Sequence, residues 1–168
     1  IGAITHVWKN LKCKIFATPF TAALITEKFK EKKIDIIPFM NIVKLNGTIN
    51  LDNFKITFVT LTHSILEPNG LKIDTPAGTI FHTGDWKVDP NPLVGSKVNE
   101  EKLKKIGKEG VLAMICDSTN VFSIGRAGSE ADVRKSMLKV MSQQKKRILV
   151  TSFASNVARM ETVFDCAK

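Results

Sequence analysis

The sequence predicts an α/β protein whose first half is rich in β-strands. Between residues 34 and 82, short stretches of β-branched and aromatic residues alternate with turn signals, which are Asn46-Gly47, Pro68-Asn69-Gly70 and Pro76-Ala77-Gly78. From residue 111 onward, two apolar runs alternate with two helical patterns. This alternation is typical of parallel strands covered by helices.

The first half is predicted to hold two helices followed by strands. Apolar residues have helical spacing over 4–11, and a strand-like run over 14–17 precedes Thr18-Pro19. Because Thr favours the cap position and Pro the first turn, a helix is expected to begin there and run to about Lys33. Strands are predicted over 34–43, 54–61, 71–74 and 79–82.

The second half is predicted to alternate helix and strand. A helix is expected over 100–108, and the apolar run 111–116 is predicted to be a fully buried strand that ends at Asp117. Ser129 begins a pattern that resembles a capping box, which predicts a helix. Residues 147–153 are predicted to form another buried strand, and Ser155 is expected to cap a last helix.

Composition indicates an ordinary globular chain. Of 168 residues, 43% are hydrophobic and 24% are charged, which suits one domain or one and a half. No apolar run approaches the roughly 18 residues of a membrane span, so no membrane association is expected. The cysteines are odd in number and widely spaced, which favours a reducing cytoplasm over a disulfide framework. The chain starts at Ile1 without Met and stops inside a helical pattern, so a piece of a longer protein is expected.

The charge balance suits a polyanionic partner. Twenty-five Lys and Arg residues against sixteen Asp and Glu residues give a formal charge of +9. Such a charge attracts nucleic acid. The lysines are spread along the chain, however, and a general lysine bias explains the charge about equally well.

Few residues can carry chemistry, because the chain has three histidines and no tyrosine. His63 follows the predicted strand 54–61, while His82 and Asp85 come at the end of the predicted strand 79–82. Imidazole nitrogen and carboxylate oxygen both suit Zn²⁺ or Mn²⁺. On spacing alone, a structural role for these residues is the more frequent outcome.

Four stretches of the chain together resemble one family. They are 61–71, which contains Leu61-Thr62-His63-Ser64; 75–90, which contains His82-Thr83-Gly84-Asp85-Trp86; 110–120, which ends in Asp117-Ser118-Thr119-Asn120; and 152–157. In this order they strongly resemble bacterial ribonuclease J, in the β-CASP branch of the metallo-β-lactamase superfamily. The opening Ile1-Gly2-Ala3 resembles the residues that follow the family's His-x-His-x-Asp-His metal motif, which this chain lacks.

The resemblance implies a fold and an activity. The expected fold is a partial metallo-β-lactamase αββα sandwich over 1–117 that continues into the start of a β-CASP α/β domain over 118–168. The implied activity is that of a metal-dependent ribonuclease of RNA processing and decay, which acts on 5′ ends and internally. Its cofactors would be two divalent metal ions, Zn²⁺ first and Mn²⁺ or Mg²⁺ as alternatives. The parent would bind RNA and form a homo-oligomer.

The resemblance also implies roles for single residues. His63 matches a histidine metal ligand, and Asp85 matches the carboxylate that bridges the two metal ions. His82 is expected to support the loop or a ligand by a hydrogen bond. Asp117 matches the acidic residue that opens the β-CASP region and supports a downstream histidine near the scissile phosphate, although an Asx-turn at the strand end explains it as well. Candidates for contact with substrate phosphate are Ser152, Ser155 and Asn156, with helix capping as the alternative for Ser155.

Three interpretations stay open at this point. Because the metal motif is absent, the chain alone is expected to bind metal poorly and to be inactive. Another metallo-β-lactamase-fold hydrolase, acting on DNA or a small ester, is the first alternative. The second is a non-catalytic remnant of a split gene that binds RNA through its positive charge.

Overall fold

The computed structural model describes residues 2–125 and 127–168, so Ile1 of the matched opening lies outside the described residues. The described helices are α1 Ile4–Leu11, α2 Pro19–Glu31, α3 Glu100–Glu109, α4 Glu130–Ser142 and α5 Val157–Cys166. The described strands are β1 Ile15–Ala17, β2 Met40–Ile42, β3 Thr48–Leu51, β4 Phe54–Thr60, β5 Asn69–Thr75, β6 Gly78–His82 and β7 Ala113–Ile115. This arrangement confirms a mixed α/β architecture. None of the described helices is both long and apolar enough to cross a membrane.

The first helices pack on a two-stranded parallel sheet formed by β1 and β2. Phe29 of α2 is fully buried at the centre of this core, and the ring of Trp8 in α1 meets it edge to face at 5.5 Å. The Trp8 indole N–H donates to the carbonyl of Cys13 at 2.9 Å, so its polar atom is also satisfied. The predicted elements in this region are confirmed, with α2 ending at Glu31.

A five-stranded sheet in the order β3-β4-β5-β6-β7 carries the middle of the chain. Strands β3 to β6 form antiparallel pairs, and β7 joins β6 in parallel. Strand β3 was not predicted, while 34–43 forms a short 3₁₀ turn over Ile37–Phe39 followed by β2. Helix α3 covers one face of the sheet through Ile106, which packs on Val59 and Phe81.

The prediction that residues 111–116 form a buried strand is wrong about burial. Only β7 is strand, and it forms the edge of the sheet, paired with β6 alone among the described residues. Its side chains are exposed, with Met114 at 56% and Ile115 at 54%. Cys116 is likewise exposed rather than part of a core. An apolar run predicts burial only where other elements cover both faces.

The predicted strand over 147–153 is also wrong. This segment has no regular secondary structure, and Leu149 and Phe153 are 95% and 84% exposed. The physical reason is that a strand needs a neighbouring strand for its backbone hydrogen bonds, and none pairs with this segment within 2–125 and 127–168. The helices on either side, α4 and α5, pack together through Arg134, which contacts Glu161 at 3.3 Å and Asp165 at 3.2 Å.

Candidate active site at the ends of β4, β6 and β7

The loops that carry His63 and Asp85 are held together by Thr62. An isolated antiparallel bridge joins Thr62 to Lys87, and the Lys87 amide donates to the Thr62 carbonyl at 2.9 Å. The Thr62 hydroxyl donates to the Lys87 carbonyl and accepts the Asp89 amide at 3.1 Å. Because Thr62 is only 2% exposed, these bonds are shielded from water. His63 and Asp85 therefore flank one bridge between two strand ends.

The loop that begins at His63 is anchored on both sides. Beyond it, the Glu67 carboxylate accepts the amide of Phe20 in the first turn of α2 at 2.8 Å. On the other side, the amide of Ala158 in α5 donates to the Ser64 carbonyl at 3.2 Å. His63 itself is half-buried, with its Nδ1 3.3 Å from the Ser64 hydroxyl. Its position is thus set by elements from three parts of the chain.

Asp117 is brought to the same edge by the end of β6. The buried Thr83 donates its amide to the Ile115 carbonyl at 2.9 Å, and its hydroxyl accepts the Asp117 amide at 3.1 Å. These two bonds continue the β6–β7 pairing by one residue. The carboxyl ends of β6 and β7 therefore lie side by side, as expected for parallel neighbours.

The carboxylate of Asp117 is stabilised in its charged form. Hydrogen bonds from the hydroxyl and the amide of Thr119 are the main causes that lower its pKa, and the charge of His63 and the amide of Trp86 act in the same direction. The bond from the Thr119 amide, at 2.9 Å, is an Asx-turn, so that alternative interpretation holds. Asp117 and Trp86, the residue that follows Asp85, also line one cavity.

His82, the last residue of β6, and Asp85, on the loop that follows it, are both exposed. The Nδ1 atom of His82 accepts the amide of Gly84 at 3.0 Å, so this histidine supports the loop. Gly84 has a φ of +61°, a conformation that glycine adopts without the strain a side chain would add. The turn formed by these residues projects Asp85 toward solvent.

The three candidates for phosphate contact differ in their surroundings. The N-cap of α5 is Asn156, whose side chain accepts the Arg159 amide at 2.9 Å, so the prediction that Ser155 caps this helix is wrong. Ser155 is exposed one residue earlier. Ser152 is also exposed, and among the described residues no hydrogen bond joins it to the candidate site. Asn156 lies two residues before Ala158, whose amide donates to the carbonyl of Ser64.

The residues present do not make a metal centre by themselves. His63 and Asp85 offer the nitrogen and oxygen donors that Zn²⁺ prefers. Within 2–125 and 127–168, however, no group of three or more His, Cys, Asp or Glu residues is close enough to hold a metal ion. A tightly held metal ion needs three or four protein ligands. The described residues therefore contribute to such a site at most in part.

A cavity of about 940 Å³ opens beside Asp117. Its charged lining is mostly acidic, with Glu100, Asp117 and Asp132 against Lys87. Ser118, Thr119 and Ser129 add hydroxyl groups, and Trp86 adds an aromatic wall. An acidic cleft in a chain of net charge +9 is a local exception to the overall charge.

Sequence reasoning missed the residues that hold these loops in place. Thr62 and Thr83 are buried hydrogen-bonding side chains, and Lys87 and Asp89 form a buried ion pair at 3.3 Å. All four lie inside stretches that carried the resemblance, but only their neighbours were given roles. A polar residue at the end of an apolar strand predicts that this end of the sheet is functional, but it does not predict which groups that residue contacts.

A search against protein-family models matches none. The architecture is nevertheless known: a crystal structure of a protein of unknown function from Enterococcus faecalis superposes with a TM-score of 0.64 at 16% identity, covering 90% of this chain and 39% of that one. This likeness shows a shared α/β fold.

Curated relatives match nearly the whole of this chain. The chain is 40% identical to ribonuclease J of Sinorhizobium meliloti over 168 residues, covering 99% of this chain and 30% of the relative. It is 40% identical to ribonuclease J of Corynebacterium glutamicum, at 99% and 23% coverage, and 32% identical to ribonuclease J of Helicobacter pylori, at 95% and 23% coverage. The resemblance to ribonuclease J is therefore confirmed along the whole chain. The chain spans 23–30% of the length of these relatives.

Proposed function

We propose that this chain is a segment of a metal-dependent ribonuclease that hydrolyses phosphodiester bonds in RNA, acting on 5′ ends and internally. The observation that carries the proposal is the convergence of His63, Asp117 and the loop of Asp85 at one edge of the sheet. Identity of 32–40% to proteins named ribonuclease J supports the substrate. Residues 1–117 would belong to a metallo-β-lactamase-like domain and residues 118–168 to the start of a β-CASP domain.

His63 and Asp85 would each give one ligand to a site whose other ligands lie outside this chain. Two divalent ions, Zn²⁺ first and Mn²⁺ or Mg²⁺ as alternatives, would supply water activation and offset phosphate charge when bound. The acidic lining of the cavity supports a role for cations, because carboxylates alone repel the phosphodiester backbone of RNA. We further propose a cytoplasmic, homo-oligomeric parent and an inactive isolated chain.

Within such a site, this chain's own groups would have distinct tasks. The fixed turn at His82 and Gly84 would present the Asp85 carboxylate, and the bridge at Thr62 would set its distance from His63. Asp117, whose lowered pKa keeps it anionic at neutral pH, would orient a cationic or proton-bearing group near the phosphate. These tasks require that the reacting groups be held in a fixed position, and such positioning can contribute much of the rate of an enzymatic reaction.

The test is hydrolysis by the native gene product of a panel that contains RNA, single-stranded DNA and a small ester. We expect RNA cleavage that stops with EDTA and returns with Zn²⁺ or Mn²⁺. His63→Ala should lower kcat by about a hundredfold or more, while His6→Ala, which changes an exposed histidine of α1, should not. Cleavage of DNA or ester in place of RNA would replace the proposal with another hydrolase. Salt-dependent RNA binding without turnover would replace it with a non-catalytic remnant.

A further inference from the structure

Four charged side chains form a cluster behind the candidate site, which we call the clamp: Lys87, Asp89, Glu130 and Arg159. Lys87 lies 3.3 Å from both Asp89 and Glu130, and Arg159 lies 3.2 Å from the other oxygen of Glu130. Asp89 is 3% exposed and Glu130 is 7% exposed. The cluster thus alternates positive and negative charges, with both carboxylates buried and both cations partly exposed.

The clamp also uses the start of α4. Asp89 accepts the amide of Glu130, the first residue of α4, at 3.0 Å, so its carboxylate lies at the positive end of the helix. The Ser129 hydroxyl donates to the Asn91 carbonyl at 2.8 Å and accepts the Ala131 amide at 3.2 Å, which fixes the same helix start to the same loop. Helix α4 is therefore joined to the loop after β6 through both side-chain and backbone groups.

Buried ion pairs are a poor source of stability but a good source of specific geometry. Desolvation offsets most of the attraction between the charges, so such a cluster is favourable only in one arrangement of its members. In this chain that arrangement relates three segments: the loop of Lys87, the start of α4 and the first turn of α5. Arg159 in α5 is one residue from Ala158, whose amide bonds the carbonyl next to His63.

We propose that the clamp residues Glu130 and Arg159 are positioning residues, which hold α4 and α5 against the loops of His63 and Asp85. This inference rests on the proposed function for its catalytic consequence. The clamp is close in sequence to the residues that hold both loops. Lys87 is two residues from Asp85 and is bridged to Thr62, which precedes His63. Ala158 reaches Ser64, which follows His63. Loss of the clamp should let both loops move relative to each other.

The fold offers a matched control for this proposal. Glu161 also joins α4 to α5, through Arg134 at 3.3 Å, but its side chain is 47% exposed, and among the described residues no hydrogen bond or ion pair joins it to the two loops. Glu130→Gln and Glu161→Gln remove the same charge from the same pair of helices. Only the first change breaks the connection between the helices and the site.

The experiment uses the native gene product with two readouts, amide hydrogen exchange and RNA cleavage. Glu130→Gln is expected to speed exchange at the Lys87 and Ala158 amides by about tenfold or more and to lower kcat by about tenfold with KM nearly unchanged. Arg159→Gln should act in the same direction, and Arg159→Lys, which keeps the charge, should recover most of the loss. Glu161→Gln should change neither readout by more than about twofold.

Three outcomes separate the possible failures. Unchanged exchange in Glu130→Gln and Arg159→Gln would overturn the clamp itself. Faster exchange with wild-type kcat would overturn its positioning role. If the wild-type protein cleaves no RNA, the proposed function fails, while the exchange data still decide whether the clamp holds the loops. If Glu130→Gln does not fold, Arg159→Gln and Arg159→Lys carry the same comparison, because Arg159 is 30% exposed in its side chain.

Discussion

The hydroxyl of Thr62 bonds both the carbonyl of Lys87 and the amide of Asp89, so one buried side chain fixes the loop that follows Asp85 against the strand end that precedes His63. Three backbone groups of these loops depend on this threonine, because its own carbonyl also accepts the Lys87 amide at 2.9 Å. The geometry of the candidate site is therefore set by a residue that carries no charge and takes no part in the chemistry.

Replacing Thr62 with Val should destabilise the protein by about 1–3 kcal/mol, because the Lys87 carbonyl and the Asp89 amide would lose a buried partner. Val keeps the branched shape, so packing changes little. The measurement is the free energy of unfolding from chemical denaturation. Thr48→Val is the control, since Thr48 is exposed and its hydroxyl bonds the Thr57 hydroxyl at 3.0 Å, and the change should cost no more than about 0.5 kcal/mol. Equal costs for the two variants would contradict this account.

Asp89 should make stability depend on pH in the acid range. Burial raises the pKa of this carboxyl, but hydrogen bonds from the Ser129 side chain, from the Glu130 and Asn91 amides and from Lys87 outweigh it, so the pKa lies below its ordinary value. A lowered folded-state pKa gives stability that is present above the unfolded-state pKa of about 3.9 and is lost as the pH falls through the folded value.

The corresponding variant is Asp89→Asn, compared with the wild type by denaturation between pH 7 and pH 2. The variant should be less stable at neutral pH, and the difference in unfolding free energy should shrink below about pH 4 as the wild-type carboxyl becomes protonated. Asp52→Asn, on an exposed turn, provides the control and should give a small difference at every pH. A difference between Asp89→Asn and wild type that stays constant with pH would refute the assignment.

Local sequence signals predicted the helices well, and the errors concern segments whose structure depends on contacts with distant parts of the chain. Thr18-Pro19 marks the start of α2 because capping and proline preferences act within one turn. The runs 111–116 and 147–153 were misassigned because strand formation and burial depend on neighbours distant in sequence, which an apolar run does not reveal. His63 and Asp85 were identified by resemblance. The contact between Lys87 and Glu130 spans 43 residues and leaves no periodic signal that could have predicted it.

Phe29→Ala should be the most destabilising of these changes, at about 3–5 kcal/mol, because the ring is fully buried and supports the edge-to-face contact with Trp8. The loss should appear in denaturation curves and as a red shift of tryptophan emission when Trp8 gains water. Phe122→Ala is the matched control, since that ring is 98% exposed, and its effect should stay within about 0.5 kcal/mol. A small effect of Phe29→Ala would show that the core around α2 is not tightly packed.

Two glycine substitutions should have opposite signs. Gly84 has a φ of +61° in the loop before Asp85, so alanine there should cost about 1–2 kcal/mol of backbone strain. Its Cβ would lie 3.4 Å from the Asn69 carbonyl, an ordinary contact, so strain and not collision decides the sign. Gly107 lies within α3, and a Cβ there meets nothing within 4 Å. Gly107→Ala should therefore stabilise the protein by up to about 1 kcal/mol, because alanine favours the helix. Both values follow from denaturation of the native gene product, and a Gly84→Ala variant as stable as the wild type would show that the turn at Gly84 is not held in this conformation.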